Sequence, residues 1–335
     1  MRAASLRAPG VVEVDDAPEP AATAPGEVVV RMHRTSICGS DVHVILHGFH
    51  EDGCLGMPGY PGHEGLGTVV ESRSSSVREG ELVLTVPRPA EGRCFAQYQL
   101  VADTQVVPVP AGDAEERLLM AQQYGTTLYA MRSFWPDGGT LREPGTVAIA
   151  GAGSAGLFFV QLARRAGFEH ILVSDLDPRR LEVAERLGAA TTVHAPSGSL
   201  TDAVMDVTRG EGADLVIEAA GYDLTRAQAV AAVATRGTIG LFGFPERRGD
   251  APFPMYAAFR KVARIQWAGS TQSEPGLVAF RDAVRHIHDG EIDVEHCLGD
   301  LRGLDDLPEA VEVASEPGRG PVKLVIDPWN GAGPS

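Results

Sequence analysis

From Thr146 onward the chain alternates short apolar runs with amphipathic ones, and this alternation restricts the fold more than any other feature of the sequence. Thr146-Val147-Ala148-Ile149-Ala150, Ile171-Leu172-Val173-Ser174-Asp175, Asp214-Leu215-Val216-Ile217 and Gly237-Thr238-Ile239-Gly240-Leu241-Phe242 read as buried strands. Ser154 to Ala166, Pro178 to Leu187 and Leu224 to Ala234 read as helices, and Pro178 occupies a permitted first-turn position. Strands that lack polar alternation are buried on both faces. The pattern therefore predicts an α/β domain over residues 123–270, a doubly wound parallel sheet with helices on each side.

The first part of the chain has another texture. Glu27 to Met32, Gly67 to Ser72 and Leu82 to Val86 are short β-branched runs punctuated by Gly and Pro, as at Pro58-Gly59-Tyr60-Pro61-Gly62. They predict a small antiparallel β domain. Ala114 to Phe134 reads as a helix interrupted at Gly125. The tail offers helices over 276–289 and 304–314 and a strand, Pro321 to Ile326, that can rejoin the first domain. The expected division is thus residues 1–122 with 271–335, against 123–270. A length of 335 residues agrees with two domains rather than one core. Trp329 to Ser335 are expected to fray.

Composition narrows the partners. The chain carries 45 acidic and 29 basic residues, a formal charge of −16. Such a field repels phosphate backbones and anionic lipid heads, so nucleic acid and membrane surfaces are not expected as partners. The four cysteines, Cys38, Cys54, Cys94 and Cys297, form no CxxC pair, and a reduced, cytoplasmic protein is expected. The first 30 residues hold no apolar targeting core, and no apolar run reaches the ~18 residues of a membrane span.

Gly151-Ala152-Gly153-Ser154-Ala155-Gly156 follows a predicted strand and opens a predicted helix. In that setting the first glycine makes a tight turn, the second lets backbone approach a pyrophosphate, and the third allows close helix–strand packing. The helix N-terminus then faces the phosphates. Asp175 ends the next strand, 24 positions after Gly151. A carboxylate there accepts from ribose hydroxyls and repels a 2′-phosphate, which favours NAD over NADP. Arg180 is compatible with either. Phe242-Gly243 and Ala268-Gly269-Ser270 follow later strands and are candidates to pass near the nicotinamide. Glycines needed only for packing, or an S-adenosylmethionine loop, are the competing readings.

Two further clusters carry metal-ligand chemistry. Cys38-Gly39-Ser40-Asp41-Val42-His43 is followed, 25 residues after Cys38, by Gly62-His63-Glu64. A thiolate, an imidazole and a carboxylate are the ligand types that bind zinc tightly. Cys38 and His63 are the first candidates. Glu64 is either a direct oxygen ligand or an outer support. Asp41 is placed to accept the other N–H of a ligating His63 ring. Both clusters are expected on loops or strand ends.

With these motifs in hand, the chain resembles the medium-chain zinc-dependent alcohol dehydrogenases, and within them the sorbitol/polyol and threonine dehydrogenase-like branch. The residues that carry the resemblance are Cys38 to His43, Gly62 to Glu64, Phe95-Ala96-Gln97-Tyr98, Gly151 to Gly156 and Asp175. The resemblance implies a GroES-like β-rich catalytic domain, a Rossmann domain, and an active site in the cleft between them. It implies a zinc-dependent oxidoreductase that moves a hydride between NAD(H) and a secondary alcohol or ketone, with a polyol, sugar, cyclitol or amino alcohol as substrate. It also implies a proton relay through Ser40, the ribose and His43, and a homodimer or homotetramer.

Two departures from the family pattern bear on the site. Relatives often hold a structural zinc with four closely spaced cysteines; the corresponding segment, Glu81 to Cys94, has one, so a single catalytic zinc is expected. Relatives also place a ligand or acidic residue on the helix entering the Rossmann domain, where this chain has Gln122. Cys38, His63 and Glu64 are then expected to hold the metal, with Gln122 bonding a water on it. Two other functions remain in view: a zinc-free reductase of the same superfamily, and a non-catalytic NAD-binding relative.

Overall fold

The computed structural model describes residues 1–110, 112, 114–136, 145–316, 318 and 320–330. They divide into two units, Met1–Gly125 with the chain from Gln272 onward, and Thr126–Thr271. In the first unit, β1 (Arg2–Ala8) and β2 (Val11–Asp16) form an antiparallel pair. β3 (Glu27–Ser36) is the spine of the second sheet, pairing antiparallel with β4 (Glu64–Ser72). β5 (Leu82–Thr85), β6 (Tyr98–Ala102) and β7 (Val106–Pro108) extend it. Val28, Val30, Met32, Val69 and Val83 are buried on one side of this sheet, as alternation along β3 and β4 requires.

Between β3 and β4 lies α1 (Gly39–His47), capped at its C-terminus by left-handed Gly48. This corrects the placement of the first cluster. Cys38 is the N-cap of a helix and Ser40, Asp41 and His43 lie within it, whereas Glu64 does open a strand. The helix entering the second unit also differs from expectation. α2 (Glu115–Leu119) ends at Met120, and α3 (Ala121–Phe134) runs through Gly125 unbroken. Gly125 serves close packing instead: a Cβ there would lie 2.6 Å from Phe280 Cδ1.

The second unit is a six-stranded parallel sheet in the order β10-β9-β8-β11-β12-β13. Its elements are β8 (Thr146–Ala150), α4 (Ser154–Arg165), β9 (His170–Asp175), α5 (Pro178–Leu187), β10 (Thr191–His194), α6 (Leu200–Val207), β11 (Ala213–Glu218), α7 (Asp223–Ala232), β12 (Val233–Leu241), α8 (Met255–Lys261) and β13 (Arg264–Trp267). β8 is buried at every position, so the continuous apolar run means what it predicts.

Three elements complete the first unit before its last strand: α9 (Val278–His288), β14 (Leu301–Gly303) and α10 (Leu307–Ser315). The final strand, β15 (Val325–Asp327), pairs antiparallel with β3 through Val325 and Ser36. Trp329 is anchored rather than frayed. Its Nε1 donates to the Met32 carbonyl at 2.7 Å, and Arg31 stacks over its ring. Residues 331–335 lie outside the described chain. Among the described residues, no helix is long and apolar enough to cross a membrane.

Candidate metal and cofactor sites

Cys38, His63 and Glu64 come together in the first unit, with one potential ligand atom from each lying within 4.8 Å of the others. Among the described residues this is the group that could hold a metal ion. The N-cap of α1 presents Cys38, and the start of β4 presents Glu64. Asp41 ties the set together. Its Oδ2 accepts from the Cys38 backbone N–H at 2.9 Å, and its Oδ1 lies 2.9 Å from His63 Nδ1. That contact occupies one ring nitrogen, so Nε2 is the ring atom that could ligate a metal. Burial opposes an imidazolium at His63, but Asp41 and Cys38 outweigh it and hold the pKa well above the ordinary histidine value. Without a metal, the site therefore favours a proton on His63.

Glu64 is fully buried and its two oxygens have different surroundings. Oε2 lies 2.5 Å from Lys323 Nζ and accepts from Ser36 Oγ at 2.5 Å. Oε1 is buried with no hydrogen-bond partner among the described residues. Burial raises the carboxyl's pKa, yet Lys323 and then His63 draw it below the usual carboxylate range. A buried anionic oxygen without a partner is costly, and a metal ion relieves it. The donor set fits a zinc ion on that ground.

Gln122 is buried, and its Nε2 reaches the His63 carbonyl at 3.5 Å. Ser40 lies in the first turn of α1 and His43 one turn on, on the same face. His43 Nδ1 contacts the Gly39 carbonyl at 2.9 Å, and burial lowers its pKa.

The second unit holds the residues named for the dinucleotide. Gly151 has φ +101°, open to glycine alone among common residues, and Gly153 has open space where a Cβ would project. Gly153 caps α4, which starts at Ser154 and continues through Ala155 and buried Gly156. This leaves a helix N-terminus facing a cradle that side chains would fill, the geometry a pyrophosphate needs. Asp175 accepts from Ala152 N–H at 2.6 Å and from Asp177 N–H at 2.8 Å, one bond to each oxygen. Lone pairs remain on both for ribose hydroxyls. Arg180 Nε lies 4.0 Å from Asp177. Phe242 and Gly243 follow β12, and Ala268, Gly269 and Ser270 follow β13.

The sequence reading missed Lys323, Ser36 and Gln123, whose Oε1 accepts from Lys323 at 3.2 Å. It also missed Glu218, buried at the end of β11. A signal existed for Lys323: it is one of two lysines in the chain and sits in an otherwise apolar run.

Residues 24–111 match the alcohol dehydrogenase GroES-like domain family, and residues 155–285 the zinc-binding dehydrogenase family. An L-threonine 3-dehydrogenase of Pyrococcus abyssi is 29 % identical over 327 residues, spanning 90 % of this chain and 91 % of that protein. A sorbitol dehydrogenase of Bacillus subtilis is 25 % identical over 330 residues, spanning 90 % of each. An alcohol dehydrogenase structure from Thermus sp. ATN1 superposes with a TM-score of 0.81 at 23 % identity, covering 98 % of this chain and 99 % of that one; this likeness speaks for the fold.

Proposed function

Because the chain belongs to the zinc-dependent medium-chain alcohol dehydrogenase superfamily, we propose that it is an NAD- and zinc-dependent oxidoreductase that transfers a hydride between NAD(H) and a secondary alcohol or its ketone. The substrate class is a small polar alcohol: a polyol, sugar, cyclitol or amino alcohol. One observation carries the reading. Glu64 buries an unpartnered oxygen beside Cys38 and His63, and each of the three is held by a group outside the donor set.

Cys38, His63 and Glu64 would hold one zinc ion. Zinc supplies Lewis acidity toward an alcohol oxygen. Asp41 fixes the His63 ring and the Cys38 backbone, while Lys323 and Ser36 fix Glu64. Gln122 adds no charge. His43, with its pKa lowered by burial, is neutral at pH 7 and can take a proton toward solvent, with Ser40 one turn before it. In the second unit, the Gly151–Gly156 loop would receive the pyrophosphate of NAD. Asp175 would accept from the adenosine ribose and disfavour a 2′-phosphate.

The protein is also read as a cytoplasmic homo-oligomer, a dimer or tetramer. Support for self-association comes from β13, an open sheet edge, and its neighbour α8. Tyr256, Phe259 and Trp267 there are 76 %, 74 % and 63 % exposed.

The test is metal analysis of protein purified without chelator, with absorbance at 340 nm followed on a polyol, cyclitol and amino-alcohol panel. The expected result is one zinc per chain and NAD reduction that chelation abolishes. Activity intact at less than ~0.2 zinc per chain overturns the zinc reading. Alkene or quinone reduction that survives chelation would instead identify a zinc-free reductase. NADH binding without turnover would identify a non-catalytic relative.

A further inference from the structure

β8 opens one half of the six-stranded sheet and β11 the other, and the two are neighbours. The order of travel reverses between them. In open α/β sheets, ligands bind outside the carboxyl ends of the strands at such a reversal. The Gly151 loop is one wall of this crevice. The other is Ala219-Ala220-Gly221, which follows β11.

Glu218 ends β11 and is fully buried, where its neighbours Leu215, Val216 and Ile217 are apolar. Its Oε1 accepts three hydrogen bonds: from Ala220 N–H at 2.8 Å, Gly221 N–H at 2.7 Å and Thr225 Oγ1 at 2.8 Å. Its backbone carbonyl accepts from Phe242 N–H and Gly243 N–H, each at 2.9 Å. The second oxygen, Oε2, lies 3.9 Å from Arg226 Nε. Arg226 in turn donates to Asp223 Oδ1 at 3.0 Å and to the Gly243 carbonyl at 3.4 Å. The first loop is thus tied to the carboxylate itself; the second is tied to the backbone carbonyl of the same residue and, through Arg226, reaches the carboxylate's second oxygen. The packing leaves no slack: a Cβ on Gly243 would overlap Gly221 N, and one on Gly151 would sit 3.1 Å from Ala220 N.

A buried carboxylate is a costly way to fill space. It is retained where its directed bonds set a backbone that apolar packing would leave loose. We propose that Glu218 is a positioning residue for the dinucleotide, setting the Ala219–Gly221 backbone directly and the Gly243 backbone through Arg226, as the wall against which the nicotinamide-bearing half of the cofactor lies. The assignment rests on the reading of this unit as an NAD site. The two halves of such a sheet each receive one mononucleotide. Asp175 stands on the β9 side, so the β11–β12 side is left for the nicotinamide half.

Titrations of NADH and of AMP, followed by fluorescence and calorimetry on the full chain, separate the halves. Glu218→Leu should weaken NADH at least tenfold and leave AMP within twofold. Glu218→Gln keeps an acceptor for the three Oε1 donors and should restore NADH to within threefold of wild type. If the leucine variant does not melt cooperatively, Arg226→Met carries the expectation, with NADH weakened at least threefold and AMP unchanged. A folded variant with unaltered NADH affinity overturns the proposal. So do equal losses for NADH and AMP, the mark of a merely structural role. Wild-type protein that binds neither ligand overturns the underlying NAD reading and the proposal with it.

Discussion

Lys323→Met should destabilise the metal-free protein far more than the zinc-loaded one. The ammonium lies 2.5 Å from Glu64 Oε2, and both side chains are at most 2 % exposed. Removing one partner of a buried pair costs about 3–5 kcal/mol, because the other charge is stranded. Methionine matches the lysine stem in length, so little of that cost is a cavity. For a unit of this size each kcal/mol moves Tm by roughly 2–4 °C, which gives a fall of roughly 6–20 °C without metal. With zinc on Oε1, Glu64 keeps a cation beside it and the loss should be about halved. By linkage, the ~2 kcal/mol difference appears as zinc binding about 30-fold tighter in the variant. Calorimetric melts in chelator and in zinc, with competition against a chromophoric chelator, read both quantities. An equal fall in Tm with and without metal, or unchanged zinc affinity, would refute the claim that Lys323 and the metal share Glu64.

Other outcomes follow from the same geometry. His43→Gln should slow alcohol oxidation at pH 7 by about a hundredfold. Burial sets the folded pKa of His43 below the ordinary value, so wild-type kcat/KM should fall only as pH drops through that lowered pKa. The variant should be flat there, and an unchanged acid limb excludes His43 from the relay. Burial pushes the Cys94 and Cys297 thiols up to about 12. At pH 8 their thiolate fraction is then ~10⁻⁴, so iodoacetamide should leave both unlabelled in peptide maps of native protein. Labelling at the rate of a free thiol contradicts their burial. Asp175→Ser should raise KM for NAD at least tenfold and that for NADP much less; equal effects would remove Asp175 from cofactor selection.

Most of the sheet in the second unit was legible because its strands are buried on both faces and bounded by Gly, Pro and Asp. β10 was not, and β13 was read only as an unbounded strand ahead of Ala268. β10 is four residues long, and β13, Arg264-Ile265-Gln266-Trp267, is an edge strand with a polar residue at every second position. The reading of Gly125 as a break failed for a related reason: propensity does not report that Phe280 requires a residue without a Cβ at that place. In the site, local motifs named Cys38, His63 and Glu64. Their supports come from far along the chain. Lys323 is 259 residues from Glu64, and only the folding of the tail onto the first unit brings them together. Local spacing cannot carry such information.

On the proposed zinc reading, the charges around Cys38, His63 and Glu64 account for the glutamine at position 122. With Cys38 as thiolate, the residues Cys38, Glu64 and Asp41 contribute three negative charges, and Lys323 offsets one. Two remain, the charge of a single divalent cation. A carboxylate at 122 would add another beside the His63 carbonyl; Gln122 adds none. Without metal the deficit is met in part by a proton on His63, whose pKa Asp41 holds up against burial. A zinc ion bound there would have to displace that proton, since only the neutral ring binds metal. Asp41→Asn keeps the shape of the contact and removes its charge, leaving Cys38 alone against burial, so the His63 pKa should fall and the ring should carry less of a proton before metal arrives. Zinc added to metal-free protein at pH 7 in weak buffer should release fewer protons per site in Asp41→Asn than in wild type. Equal release from the two proteins would show that Asp41 does not hold the His63 proton, and the charge balance would have to be met elsewhere.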